Sequence, residues 1–493
     1  MNSIIPVKKP YTRIFDGRLN YYLVLVFLAL ALGIFIAFGI FTFTQTLMLG
    51  IIAFLLFIIF NRPDMICYAL IIFMFTPLSL GIIMRLRIVW VAEPIILILF
   101  LLVFLKNMTA KEKAEVFSIK ANPFFIPLVI YAGVLVFNYA RFPLPASSVA
   151  GIAEEMGGIR YYYEKLLMFS LFFSIAYLAE TDHAFTRRLS KVMFVMVLVI
   201  TSIGMLTTFI DPLYRMIVSL KENGVLATDT ILTGLWKKVI DPYTGAVRNY
   251  ILWITPFGIL LLISGMVRIK PVLRIVLLVF LSLGLILSAT RNFIFGALIG
   301  LVAWAFLTKK KRLLVAFTVV ALIIYLLPNI GLFSKQISRI MYFSTDIDRL
   351  TSFRYELFIT YWDMFRQNIL FGVGVGATEI GHRISGSPEF FFAQNLRFGG
   401  HGFFLGTLYT QGIVGLLPFI FIYIVGIRAA FTLFNQNRFR DYKIVGLFTL
   451  MFIAYSIIPF IVGGTETYNQ FFIVIALLAG AYANFLKKTS LHE

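Results

Sequence analysis

"GGHGFFLGTLYTQGIVGLL", Gly399 to Leu417, is the stretch on which the reading of the fold turns. Upstream of it lies a long segment rich in polar and charged residues; beyond Phe403 apolar side chains dominate. An apolar window of roughly 17–22 residues is enough for a helix to cross about 30 Å of hydrocarbon. Residues 402–427 therefore read as one membrane-spanning helix, with His401 as the histidine at its outer end.

The rest of the chain has the same character. Of its 493 residues 60% are apolar and 13% charged, and the mean hydropathy is +0.93, values that belong to a polytopic membrane protein. Cys67 is the only cysteine, so no intrachain disulfide forms. The net charge of +20 is scattered among short connections between apolar windows, with no soluble domain to make a nucleic-acid groove. Nucleic acid is excluded on that ground; the lipid bilayer, with its anionic headgroups, or a phosphorylated lipid suits the charge better.

Windows of spanning length fall near 20–38, 42–60, 66–84, 88–105, 124–140, 162–179, 190–210, 249–267, 271–288, 292–307, 313–329, 402–427, 444–462 and 468–486. The expectation is an all-α polytopic membrane protein with about 14 transmembrane helices. Lys8, Lys9, Arg13 and Arg18 precede the first window and no small-residue cleavage site follows it, which predicts an uncleaved first span and a cytoplasmic N-terminus. Alternate junctions then carry clusters such as Arg187/Arg188/Lys191, Arg268/Lys270/Arg274, Lys309/Lys310/Lys311/Arg312 and Lys487/Lys488, in keeping with the positive-inside rule and a cytoplasmic C-terminus.

Arginine far outnumbers lysine in the outer segments, and guanidinium forks suit bidentate recognition of oxyanions. Two of these segments are long: Asp211 to Arg248, and a large loop over 328–400, expected to be structured because a structureless stretch of that length is unusual. Within the loop, Phe353, Leu357, Tyr361, Phe365 and Ile369 recur at helical spacing in "TSFRYELFITYWDMFRQNIL", which predicts a helix lying on the membrane surface. The glycines of "GVGVG" (Gly372, Gly374, Gly376) then read as a turn and helix stop, since no strand precedes them as a phosphate-cradling loop would require.

His401 is the outstanding candidate for chemistry. An imidazole in a partly desolvated site stays neutral and basic at neutral pH. Spacing alone leaves two readings open, a general base or an interfacial histidine that caps a helix start. Arg291 in "SATRNF" and Arg354 on the surface helix are outer arginines suited to an anion, or else snorkelling or ion-paired side chains. Arg160, near Glu154 and Glu155, could line the same cavity; Glu93, with Lys165 as a partner, and His382 are reserve candidates for the base. Asp346 and Asp348 form a two-carboxylate element with no further ligand cluster, so no metal site is assigned.

"SATR" ending in Arg291, "RYELFITYWDMFRQNILFGVGVG" headed by Arg354 and "HGFFLGTLYTQGIVGLL" headed by His401 together resemble the O-antigen ligase and O-antigen polymerase superfamily of bacterial membrane glycosyltransferases. The resemblance outlines a catalytic region over 285–430 that includes the loop 328–400, between N-terminal spans at 1–284 and C-terminal spans at 431–493. This sequence departs from the family's pattern at Gly402, where Asn is usual, at Ile369, where Pro is common, and at Phe358, a site often held by Trp. The resemblance implies a GT-C-like helical fold in the bacterial plasma membrane, an undecaprenyl-diphosphate-linked oligosaccharide as donor, an acceptor glycan, and neither nucleotide sugar, cofactor nor metal. It makes Arg291 and Arg354 the diphosphate ligands and His401 the base, with the site on the outer face. Polymerase, lipid A core ligase and protein-glycosylating ligase all fit these motifs, with fourteen spans leaning towards a polymerase. A lipid-linked oligosaccharide flippase is the reading from a different class, and two matching halves would be its mark.

Overall fold

The computed structural model describes residues 63–76, 92–110, 113–119, 121–141, 158–182, 184–222, 229–230, 234–235, 238–240, 245–310, 365–372, 403–437, 439–462 and 465–490, with 335, 359 and 362–363. Its helices are α1 Pro63–Phe75, α2 Ala92–Thr109, α3 Phe125–Arg141, α4 Gly158–Thr181, α5 Phe185–Phe209, α6 Asp211–Glu222, α7 Thr255–Ser264, α8 Pro271–Leu287, α9 Arg291–Leu307, α10 Phe403–Phe434, α11 Arg440–Val462 and α12 Thr465–Ser490. The segment expected to be a long outer connection folds into the amphipathic α6 and two short antiparallel pairs, Asp229–Thr230 with Gly234–Leu235 and Lys238–Ile240 with Val247–Asn249.

The expectation of about 14 spanning helices in a GT-C-like arrangement is corrected. Among the described residues five helices are long and apolar enough to cross a membrane: Ala92–Thr109, Phe185–Phe209, Phe403–Phe434, Arg440–Ile461 and Thr467–Thr489. The protein is thus a multi-pass, partly membrane-embedded one. The windows at 20–38, 42–60 and 313–329 lie outside the described residues, as does most of the loop 328–400. Elsewhere the helices stop where the apolar run does not. Within the window 249–267, residues Tyr250–Ile254 form a 3-10 helix and α7 has only ten residues before Gly265 ends it at φ 85. Hydropathy sums over such breaks because it registers side chains and not backbone dihedrals. By contrast α8 and α9, each 17 residues long, keep the separation that the windows 271–288 and 292–307 had, with Ala289 at φ 48 between them.

Helices approach closely where one of them offers glycine, as is usual for packing in lipid. A Cβ on Gly480 of α12 would lie 2.3 Å from the Ala176 carbonyl oxygen of α4, and one on Gly446 of α11 would lie 2.5 Å from that of Ala430 of α10. Likewise Gly296 of α9 faces the Tyr455 carbonyl and Pro459 of α11, and Gly300 faces the Met451 carbonyl. Residue numbers rise along α9 as they fall along α11, so the two are antiparallel and Arg291 sits at the end where α11 finishes.

The opposite end of the bundle is tied by charge. Asp441, in the first turn of α11, receives Arg187 of α5 at 2.7 Å and Arg268, which follows α7, at 3.0 Å. Nearby the Glu180 carboxylate of α4 accepts from the backbone N–H groups of Glu115 (2.8 Å) and Val116 (3.0 Å), and Asn484 of α12 donates to the Glu180 carbonyl. These bonds occupy donors at a helix start that would otherwise be orphaned.

At the Arg291 end, Asn249 is fully buried and donates to the Gly204 carbonyl (2.7 Å) and to the hydroxyls of Thr207 and Thr208 (3.0 Å each), fixing the hairpin onto α5. Lys238 reaches the Thr207 and Thr208 carbonyls and pairs with Asp211 at 2.7 Å. Its hydrogen bond and then its charge hold the Asp211 carboxyl below the ordinary value. A lowered carboxyl contributes stability that is present above the unfolded value, near 4, and lost as pH falls through the folded one. Asp211→Asn should therefore loosen the hairpin at pH 7, by a few-fold in amide exchange at Lys238–Asn249, and the difference from the parent protein should vanish once acid has protonated the paired carboxylate.

Candidate functional site

The stretch read as a single span is broken. Gly412 has φ 68 and ψ −166 inside α10, a conformation that glycine alone adopts readily. The break is not a gentle kink. The rings of Phe403 and Phe419 lie 4.3 Å apart and those of Phe404 and Tyr423 6.1 Å, whereas sixteen residues of continuous helix would separate Phe403 from Phe419 by about 24 Å. Residues 403–411 therefore form a short arm that folds back along 413–434, and the latter, about 33 Å long, can cross the bilayer alone. The reading of 402–427 as one unbroken span is corrected accordingly.

What stabilises the fold-back is a strap from the large loop, residues 365–372. The N–H groups of Ile413 and Val414, the first of the second half-helix, donate to the carbonyls of Ile369 (2.9 Å) and Leu370 (3.0 Å). Without these acceptors the start of a half-helix would leave donors unpaired in a low-dielectric setting, at several kcal/mol each on the order of water-to-hydrocarbon transfer. Approach this close requires two glycines. A Cβ at 412 would lie 2.2 Å from the Leu370 carbonyl oxygen, and one at Gly372, whose φ is 67, would lie 2.5 Å from the Gln411 nitrogen. The first glycine of "GVGVG" is thus a packing glycine set against the broken helix.

The strap is held on its other side by the last turns of α3. Phe137 packs on Phe371 at 5.2 Å, and the Arg141 guanidinium lies 5.6 Å over the same ring while donating to the Asn368 side-chain oxygen at 3.4 Å.

The far end of the arm meets a cluster of rings. Phe403 contacts Phe460 of α11 (5.2 Å) and Tyr468 of α12 (4.8 Å), and the Lys165 ammonium of α4 lies 4.7 Å from the Phe403 ring and 3.9 Å from that of Tyr468. Lys165 is 7% exposed.

The predicted site residues fall as follows. Arg291 is half-buried at the first position of α9, preceded by Thr290, whose hydroxyl accepts from the Trp253 indole at 3.0 Å. Phe460, in the last turn of α11, brings the chain that follows His401 to that same end of the bundle. Glu93 is buried in the first turn of α2, and Arg160 belongs to the first turn of α4; both helix starts lie opposite the end where Glu180 binds Glu115. His401, Arg354 and His382 lie outside the described residues, as do Asp346 and Asp348. The backbone thus gathers the helix starts carrying Arg291, Glu93 and Arg160 at the end of the bundle where Phe460 meets Phe403, the first described residue of the arm.

Comparison with known families decides the assignment. The family model described as O-Antigen ligase matches residues 276–420. A domain of that enzyme family is present in this chain. No curated protein matches the chain. The O-antigen ligase domain runs from within α8 through Arg291, the strap and the arm, and ends one residue after Phe419, the ring on which the arm folds back. Lys165, Arg141 and Tyr468 lie outside it, supplied by the surrounding helices. Sequence reading missed the break and Arg141, although one signal was available. The window 402–427 would make a helix of about 39 Å, longer than one crossing needs, and Gly412 lies within it.

Gly412→Ala should be among the most damaging single changes in the domain, because the backbone is strained for alanine and Leu370 has no room to withdraw. Loss of about 3 kcal/mol or more is expected in detergent unfolding. Gly133→Ala in α3, where a Cβ would meet nothing within 4 Å, should be without effect in the same assay.

Proposed function

We propose that this protein transfers an undecaprenyl-diphosphate-linked glycan onto a hydroxyl of an acceptor glycan at the outer face of the bacterial plasma membrane. The observation that supports the reading is the folded-back arm within the O-antigen ligase domain, whose first described residue, Phe403, packs on Phe460 at the bundle end where Arg291 opens α9. The orientation is supported by the charge distribution: Arg187, Arg268, Arg440, Lys443 and Lys487 all sit at the opposite end, as a cytoplasmic face requires.

In this reading His401 takes the proton of the acceptor hydroxyl while its oxygen forms a bond to the anomeric carbon. The bond from that carbon to the diphosphate oxygen breaks, its electron pair leaving with undecaprenyl diphosphate. Direct displacement inverts the anomeric centre. Arg291 and Arg354 bind the diphosphate and stabilise the charge that grows on it, which lets the step proceed without a metal. Arg160 is a secondary candidate for the same site, and Glu93 and His382 stand in reserve for the base. A lean towards a polymerase drawn from fourteen spans goes with that count; the proposal is transfer to a sugar hydroxyl, with a second lipid-linked repeat or lipid A core as acceptor.

The test is reconstitution with a defined lipid-linked repeat, each acceptor in turn, and EDTA present. His401→Ala should abolish transfer while the protein still inserts and binds lipid diphosphate. Arg354→Lys should lose nearly as much, about 100-fold, because a point charge does not replace a guanidinium fork. Near-normal product from His401→Ala would move the base to Glu93 or His382. Movement of labelled lipid across liposomes with no glycosidic bond formed would replace the proposal with a flippase.

A further inference from the structure

The arm is hinged at one glycine, and His401 precedes its far end. Nine residues of helix rise about 13 Å, so a rotation of about 5° at Gly412 moves that end by about 1 Å. A displacement of that size can cost a positioned transfer reaction about 100-fold. The strap fixes the hinge and leaves the far end to be held by other contacts.

Phe403 is the described residue nearest that end. It is packed by Phe419, Phe460 and Tyr468, and ring pairs accept offset-stacked and edge-on geometries alike, so they hold the end without selecting one orientation. Lys165 adds what they lack. Its ammonium lies within 5 Å of two ring faces that are themselves stacked at 4.8 Å, one on the arm and one on α12, and attraction to a ring's quadrupole is directional and strongest where water is excluded. A methionine would fill the same space without a buried charge, so packing alone does not account for a lysine here. The position on α4 also matters: α4 and α12 are among the most extensively packed pairs in the bundle, so the cage stands on a rigid base.

We propose that Lys165 is a positioning residue for the transfer base, latching the first turn of the arm, through Phe403 and Tyr468, onto α4 and α12. This rests on the reading of His401 as the base. The latch lies outside the O-antigen ligase domain, so the surrounding helices tune a site whose reacting groups belong to the domain.

The full-length protein, reconstituted with an undecaprenyl-diphosphate-linked repeat, tests it. Lys165→Met should lower kcat 10- to 100-fold, leave KM for the donor within twofold, and leave the thermal midpoint unmoved. Lys165→Arg should restore most of the rate, since a guanidinium also sits on ring faces. Phe403→Leu should reproduce the loss of kcat even if Lys165→Met does not fold, and the double variant should be no slower than the worse single one. Wild-type kcat in Lys165→Met, a loss expressed in KM, or additive losses in the double variant each overturn the latch. The two readings separate cleanly. Full transfer by His401→Ala removes the base and the latch's role with it, whereas an inactive His401→Ala beside a fully active Lys165→Met removes the latch alone.

Discussion

Two backbone hydrogen bonds, from Ile413 and Val414 to the carbonyls of Ile369 and Leu370, are the constraint on which the rest of this structure depends. A helix broken inside a membrane protein exposes donors that lipid cannot satisfy, so the break persists only where another segment supplies acceptors. Here that segment belongs to the large loop. One contact therefore ends one half-helix, starts another, and joins the loop to the core. Gly412 and Gly372 are the local conditions for it, each leaving room where a Cβ would strike backbone.

The bundle divides its work between its ends. At one, arginines converge on Asp441 and the Glu180 carboxylate secures a helix start, arrangements that stabilise and orient. At the other, the arm begins at Phe403 among Phe460, Tyr468 and Lys165, while Arg291, Glu93 and Arg160 lie in the first turns of their helices. Arg141 and Phe137 grip the strap from α3, so three elements that are distant in sequence, α3, the strap and α10, meet at the break. Such convergence is what a site needs if it is to hold a charged donor and an acceptor in one geometry.

The O-antigen ligase domain over 276–420 contains the strap, the break, the arm and Arg291, and it ends one residue after Phe419, against which Phe403 packs. Its rings nonetheless pack on α11 and α12, which lie beyond it, and on Lys165 of α4, which lies before it. A motif of this family is thus a partial description of a site that the whole bundle completes.

The sequence by itself determined the membrane class, the helical elements, the basic end of the bundle and the three motifs that carry the family resemblance, because each depends on side-chain chemistry read locally. Residue types also made Arg291, Arg354 and His401 the candidates for chemistry, with Lys165 as a partner for Glu93. Only the tertiary structure decided how many helices are long enough to cross, since the apolar window 249–267 divides into a 3-10 helix over Tyr250–Ile254 and a ten-residue α7. It alone decided the path of the chain after His401. That path turns on the dihedrals of Gly412 and on carbonyls some forty residues earlier, and neither hydropathy nor spacing carries information about a contact between two backbones so far apart in sequence.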